Sequence, residues 1–232
     1  MGELAPFQHP AQLANAVTGF ATCMAGIMPM LYCWLVRPHP RRWHFAYFCI
    51  LLTGIPTVWL HAYEGNRIAS ATDTGSNIFL TWAIQIAIAG DFFRGRTLRA
   101  FLTATTAAMI LAIGFLYYEA LYLPVKIKLI DLGAYGYFHI GQTMLIVNGW
   151  VATGLFFAHL RRIPARAGPL LLLVFVMFFT GMVLASAGNA RITWRIFAWH
   201  SVWHLLGAFA LITLWLFNDV RFYEPGRRRE EI

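Results

Sequence analysis

Residues 168–188 read GPLLLLVFVMFFTGMVLASAG, a run of 21 residues without a charged side chain. A helix that crosses a bilayer needs about 20 mainly apolar residues, so this run is long enough to span one. Six further stretches meet the same requirement to within a few residues. The seven predicted spans are 12–36, 44–63, 74–93, 97–118, 134–160, 168–188 and 195–219. We therefore predict an all-α membrane protein, a bundle of seven transmembrane helices.

The composition of the whole chain agrees with residence in lipid. Of the 232 residues, 59% are hydrophobic and 12% are charged, and the mean hydropathy is +0.60. A soluble domain carries about 25% charged residues, so this chain has too few charges to cover a soluble globule of its size. The connections between spans are short. We therefore expect one transmembrane domain over residues 1–232, in a bacterial inner membrane or a eukaryotic endomembrane.

The basic residues predict how the bundle is oriented. Lysine and arginine total 18 against 10 acidic residues, a formal charge of +8. Thirteen of the 18 fall on one side of the predicted spans, and five fall on the other. The poorer side holds Arg67, Lys126, Lys128, Arg191 and Arg195. By the positive-inside rule the N-terminus is outside and the C-terminus is cytoplasmic. The basic excess thus indicates topology, and the clustered basic face that nucleic-acid binding needs is absent from the sequence.

Three histidines are candidates for one metal site. The seventh span contains WHSVWH at 199–204, where a spacing of four puts His200 and His204 on one helix face. These histidines lie about 8 and 14 Å into the span, and His61 ends the second span on the same outer side. Three neutral imidazoles and a water form a catalytic zinc site. The alternatives are a pair of hydrogen-bonded interior histidines and a histidine at the membrane interface.

Asp73 and Thr57 are candidates for the chemistry beside that metal. Asp73 opens the third predicted span on the outer side, where a carboxylate is placed to bind the zinc water and shuttle its proton. Thr57 shares a helix face with His61, so its hydroxyl can reach the same water or a substrate carbonyl. The alternatives are a helix cap for the aspartate and a bond to its own helix carbonyl for the threonine. Asn15 and Thr18 are weaker candidates for partners of the metal ligands.

These residues resemble a known family. Residues 54–62, GIPTVWLHA, resemble the second-span motif of alkaline ceramidases, in which a serine precedes a histidine by four residues. Asp73 matches the aspartate at the start of that family's third span. The closing His-x-x-Trp-His pattern matches His200, Trp203 and His204, and Asn15 to Thr18 loosely resembles the family's Asn-x-x-Ser. The same order characterises the CREST superfamily, which also includes progestin/adipoQ receptors and GPI-remodelling lipases.

The resemblance implies a seven-helix, zinc-dependent hydrolase of lipid amides or esters. It assigns zinc binding to His61, His200 and His204, action on the water to Asp73, and the family's serine position to Thr57. The family's acidic N-terminal calcium motif has no counterpart in MGELAP at 1–6. We therefore do not expect calcium, and the resemblance does not fix ceramide as the substrate.

Three classes of function remain open at this stage. The first is a ceramidase-like hydrolase that takes a lipid from the membrane, with sphingolipids as one candidate class, and attacks it with a zinc-activated water. The alternative is a receptor-like binding protein of the progestin/adipoQ type with a structural zinc site. A haem-binding electron carrier would also use intramembrane histidines. The sequence does not decide between a monomer and a homo-oligomer.

Overall fold

The chain folds into seven α-helices over the residues that the structure describes, which are 10–63, 65–189, 193–194 and 197–223 of this computed structural model. The helices are α1 (Pro10–Leu35), α2 (Arg41–Ala62), α3 (Arg67–Phe92), α4 (Gly95–Tyr122), α5 (Ile140–Ala158), α6 (Gly168–Asn189) and α7 (Trp199–Phe222). The strands are β1 (Lys128–Asp131), β2 (Tyr137–His139), β3 (Thr193–Trp194) and β4 (Phe197–Ala198). β1 pairs antiparallel with β2 between α4 and α5, and β3 pairs antiparallel with β4 before α7.

Six of the described helices are long and apolar enough to cross a membrane, as a multi-pass membrane protein requires. These are α1, α2, α4, α5, α6 and α7, whereas α3 does not reach the same apolar level. α3 contains several polar residues. Asp73, Asn77 and Thr81 follow one another at one-turn spacing on one face, and all three line one interior cavity. The all-α architecture is therefore observed, and the count of seven spans stays a prediction.

At three helices the first helical residue differs from the first residue of the predicted span. α3 begins at Arg67 rather than at 74, because Asn66 caps the helix with its side-chain oxygen 3.0 Å from the backbone nitrogen of Ala69. Asp73 consequently lies in the second turn of α3 and is not the cap. α5 begins at Ile140 rather than at 134, because residues 137–139 form β2. α7 begins at residue 199 rather than 195. Several residues on which the sequence predictions drew lie outside the described residues, namely 1–6, 191, 195 and 227–229.

Close packing of α1 on α2 fixes how these two helices lie against each other. A Cβ atom on Gly26 would lie 2.3 Å from the backbone nitrogen of Leu51, and one on Gly54 would lie 2.3 Å from the Sγ atom of Cys23. Only glycine permits so close an approach, in the way that small residues do between membrane helices. α1 also packs against α7. The first turns of α1 therefore contact the end of α2 and the start of α7.

A buried charged network ties α2, α3 and α7 together at the opposite end of the bundle. Asp91 accepts hydrogen bonds from Nε of Arg42 at 2.7 Å and from Nε1 of Trp43 at 3.1 Å, and it also pairs with Arg221. The Asp91 and Arg221 side chains are both almost fully buried. Because a buried charge is costly without a partner, this network fixes the mutual positions of the three helices.

Candidate metal centre

The structure brings the three sequence-predicted histidines together. His61 lies in the last turn of α2, and His200 and His204 lie in the first two turns of α7. One ring nitrogen of each histidine falls within 4.8 Å of those of the other two. His61 and His204 are 5% and 6% exposed. Two helices that are far apart in sequence thus converge on one cluster, and the i, i+4 spacing supplies two of its three members.

Hydrogen bonds from α1 determine which nitrogen each buried imidazole presents. Nδ1 of His61 lies 2.6 Å from Oε1 of Gln12, and because this oxygen only accepts, Nδ1 carries the proton. Nδ1 of His204 likewise lies 3.0 Å from the backbone oxygen of Asn15. In both rings Nε2 is then left unprotonated. Nε2 of His61 is buried and has no hydrogen-bond partner among the described residues. Acceptors of an Nδ1 proton, like the oxygens of Gln12 and Asn15 here, fix the tautomer of metal-binding histidines.

The α1 residues form one continuous polar face. Asn15 donates to Gln12 Oε1 at 3.3 Å and accepts from the hydroxyl of Ser201 at 2.5 Å. The hydroxyl of Thr18 lies 3.1 Å from Nδ1 of His204. Asn15 and Thr18 therefore lie where the sequence analysis expected partners of the metal ligands. Gln12 was missed, although it stands one turn before Asn15 on the same face of an otherwise apolar helix.

Thr57 and Asp73 contact each other directly. Oγ1 of Thr57 lies 2.5 Å from Oδ1 of Asp73 and 3.1 Å from the backbone oxygen of Thr53. The hydroxyl has one proton, so the shorter and charge-assisted bond to the carboxylate is the stronger of the two. The expected bond to a carbonyl of its own helix is present as well. The threonine therefore holds one oxygen of the carboxylate and leaves the other available.

Asp73 lies between two cavities that both reach the histidine cluster. The outer cavity has a volume of about 90 Å³, and its lining includes Asp73 and His200. The inner cavity has a volume of about 130 Å³, and its lining includes Thr57, Asp73 and His204. Its remaining walls are mostly apolar and come from α3, α5, α6 and α7. They extend to Leu214, ten residues beyond His204, or about 15 Å along α7.

The donor set of the cluster fits a zinc ion. Zinc binds imidazole nitrogens at about 2.0–2.1 Å, and catalytic zinc sites use three protein ligands with a fourth position open. The cluster offers three histidines, and the two most buried ones present an unprotonated Nε2. A buried nitrogen without a partner is costly in a protein interior, and a metal would supply the missing interaction at His61. The three histidines could therefore hold zinc, with Gln12 and Asn15 orienting two of them.

Comparison with known proteins adds no relative for this chain. No protein-family model, curated protein sequence or solved structure matches it significantly. The resemblance to alkaline ceramidases therefore stays a prediction from the residues.

Proposed function

We propose that this chain is a zinc-dependent intramembrane hydrolase that cleaves an amide or ester bond of a lipid. The observation that carries the proposal is the cluster of His61, His200 and His204. One member, His204, lines an apolar cavity together with Asp73, and this cavity extends about 15 Å along α7. Imidazoles and a carboxylate supply hydrolytic chemistry, and an apolar cavity accepts an acyl chain. The order of these residues, which resembles that of alkaline ceramidases, supports the same conclusion.

The proposal includes a topology and a route for the substrate. With seven spans and the basic residues on the cytoplasmic side, the N-terminus is outside and the histidines lie in the outer half of the membrane. The lipid then enters from the outer leaflet, with its acyl chain in the inner cavity. The apolar side chains around that cavity exclude bulk water and strengthen the electrostatic interactions within the site.

Each side chain of the site has a separate role in the proposed hydrolysis. Zinc, when bound, supplies a water of lowered pKa and polarises the scissile carbonyl. Asp73 takes the proton of the attacking water on the carboxylate oxygen that Thr57 leaves available, and returns it to the leaving amine or alkoxide. Thr57 fixes the orientation of that carboxylate through its 2.5 Å hydrogen bond. Gln12 and Asn15 hold two imidazoles in the tautomer that binds a metal.

Metal content and lipid turnover measured on the same preparations test the proposal. We expect zinc in the purified protein, loss of zinc in His204→Ala, and zinc without turnover in Asp73→Asn. Because a positioned acid or base contributes about 10²–10⁴-fold, turnover in Asp73→Asn should fall by that factor. His159→Ala is the matched histidine control, since His159 stacks on Phe92 at the opposite end of the bundle. Asp131→Asn, on the exposed hairpin, is the carboxylate control.

The outcomes separate the candidate functions. Protein that contains no zinc, or that keeps its zinc in His204→Ala, overturns the metal site. Protein that binds zinc through these histidines but cleaves none of a panel of N-acyl amides and lipid esters overturns the hydrolase and favours a binding protein with a structural zinc site. A Soret band in the purified protein would instead indicate haem.

A further inference from the structure

The outer cavity contains a cation from the loop between α4 and α5. Its lining includes Ser70, Asp73, Thr74, Lys126, His139 and His200, and we call it the vestibule. Lys126 is one of two lysines in the chain and directly precedes the β1–β2 hairpin. Its Nζ atom lies 2.5 Å from the hydroxyl of Ser70. The loop thus folds back so that an ammonium group faces the same cavity as the metal cluster.

The neighbouring carboxylates do not pair with Lys126. Glu119 and Asp73 are near enough to affect its charge, but neither forms a salt bridge with it in the part of the chain that the structure describes. Oε1 of Glu119 accepts the backbone N–H of Ile127 at 2.6 Å, and Oδ1 of Asp73 accepts the hydroxyl of Thr57. An ammonium has three donors, and Ser70 takes one of them. Lys126 therefore has donors to spare for a ligand.

A second polar group in the vestibule also has unused hydrogen-bonding capacity. His139, the last residue of β2, is 7% exposed, and its Nδ1 atom has no hydrogen-bond partner among the described residues. Burial and the charge of Lys126 lower the pKa of this imidazole to about 3, so it is neutral at physiological pH. Few buried polar atoms in proteins lack a hydrogen-bond partner, and a ligand that binds there is one explanation for an atom that does.

The position of the vestibule relative to Asp73 indicates which part of a lipid would occupy it. Asp73 lines both cavities, so a scissile carbonyl beside Asp73 would have its acyl chain in the inner cavity and the remainder of the lipid in the vestibule. We infer that the vestibule binds an anionic headgroup of the lipid substrate through Lys126 and His139. This inference rests on the proposed hydrolase function and adds the charge of the substrate to it.

Two lipids that differ in the charge of the headgroup test this inference. N-oleoylglycine and N-oleoylethanolamine share an acyl chain and an amide, and they differ in a carboxylate against a hydroxyl. The corresponding ketones, with a methylene in place of the amide N–H, cannot be hydrolysed and report binding alone. Displacement of a fluorescent lipid from the zinc-loaded full-length chain in nanodiscs gives a Kd for each ketone. Turnover of the two amides is measured in parallel.

We expect the carboxylate ketone to bind about tenfold more tightly than the hydroxyl ketone, which is the scale of one charge-assisted hydrogen bond. Lys126→Gln should abolish this preference, and Lys126→Arg should keep most of it. The matched control is Lys128→Gln, which should leave it unchanged, because Lys128 does not line the vestibule and lies 3.6 Å from Asp131. Soluble N-acetylglycine should compete far more weakly than the lipid ketone.

Each result bears on one of the two proposals. Equal affinity for the two ketones, or a preference that survives Lys126→Gln, overturns the anionic headgroup even if both amides are hydrolysed. Competition by N-acetylglycine as strong as that of the lipid ketone also overturns it, in favour of a site for free anions. A preference that depends on Lys126 supports the headgroup site even in a protein that cleaves neither amide. The hydrolase is overturned only if that protein also cleaves none of the lipid amides and esters of the wider panel.

Discussion

Replacement of Gln12 by leucine tests whether α1 prepares the imidazoles for a metal. Oε1 of Gln12 accepts the Nδ1 proton of His61 at 2.6 Å, and leucine removes that acceptor without leaving a large void. The buried Nδ1–H then loses its partner, or the proton moves to Nε2, where it blocks a metal. Loss of such a partner costs about 10–100-fold in metal affinity, so we expect zinc affinity to fall by that factor, or about 1.4–2.7 kcal/mol.

Competition with a chelator of known affinity measures this change in purified protein. Gln12→Glu should bind zinc at least as tightly as the wild type, because a carboxylate is the stronger acceptor for an Nδ1 proton. Gln85→Leu is the matched control: Gln85 is buried, and it donates to the backbone oxygen of Asn148 at 2.9 Å, away from the histidines. It should lower stability without changing zinc affinity. A Gln12→Leu protein that is folded and binds zinc within twofold of the wild type would refute the reasoning.

Three further predictions concern the bundle itself. Asp91→Ala should lower the free energy of unfolding by about 3–5 kcal/mol, because Arg42 and Arg221 lose a shared buried carboxylate. In the same denaturation assay, Asp131→Ala on the exposed hairpin should cost under about 1 kcal/mol. Gly26→Ala should cost about 1–3 kcal/mol from overpacking, and Gly114→Ala, where a Cβ meets open space, should be neutral or stabilising by up to about 1 kcal/mol. Burial lowers the pKa of His39 to about 4, so the unfolded chain binds a proton at this histidine more readily than the folded chain does. The free energy of unfolding should therefore fall by about 2 kcal/mol between pH 7 and pH 5. In His39→Gln the melting temperature, measured across that range, should depend less on pH.

The apolar helices and the histidine cluster were predictable from the sequence. A spanning helix must satisfy its backbone internally and bury few charges, so a run such as 168–188 has one favourable conformation. The cluster follows from the depth of three polar residues in an apolar background: His200 and His204 stand one turn apart, and His61 ends a helix at the same level. This reasoning fixes the level of a residue along a helix axis but does not fix the angle at which its helix faces the others.

Contacts that depend on the angle at which two helices face each other, or on the path of a loop, were not predictable from the sequence. Gln12 contacts His61 because glycines let α1 lie close against α2, and the sequence shows the glycines without showing the crossing. Lys126 was counted as a charge outside the membrane. Its contact with Ser70 depends on how residues 123–139 fold back over the outer end of the bundle, and no hydrophobic period specifies such a path.

The helix that falls short of the apolar level of a membrane span also contributes Asp73, the carboxylate that lines both cavities. α3 falls short of the apolar level of the other six helices and contains several polar residues, of which Asp73, Asn77 and Thr81 share the face that lines the inner cavity. Polar groups at membrane depth are tolerated where they face protein or a water-filled space rather than lipid. A helix with such a face must be surrounded by neighbours, as α3 is by α2, α4 and α5. The polar face of α3 therefore lowers the hydropathy of the helix and, at the same time, lines the cavity of the candidate site.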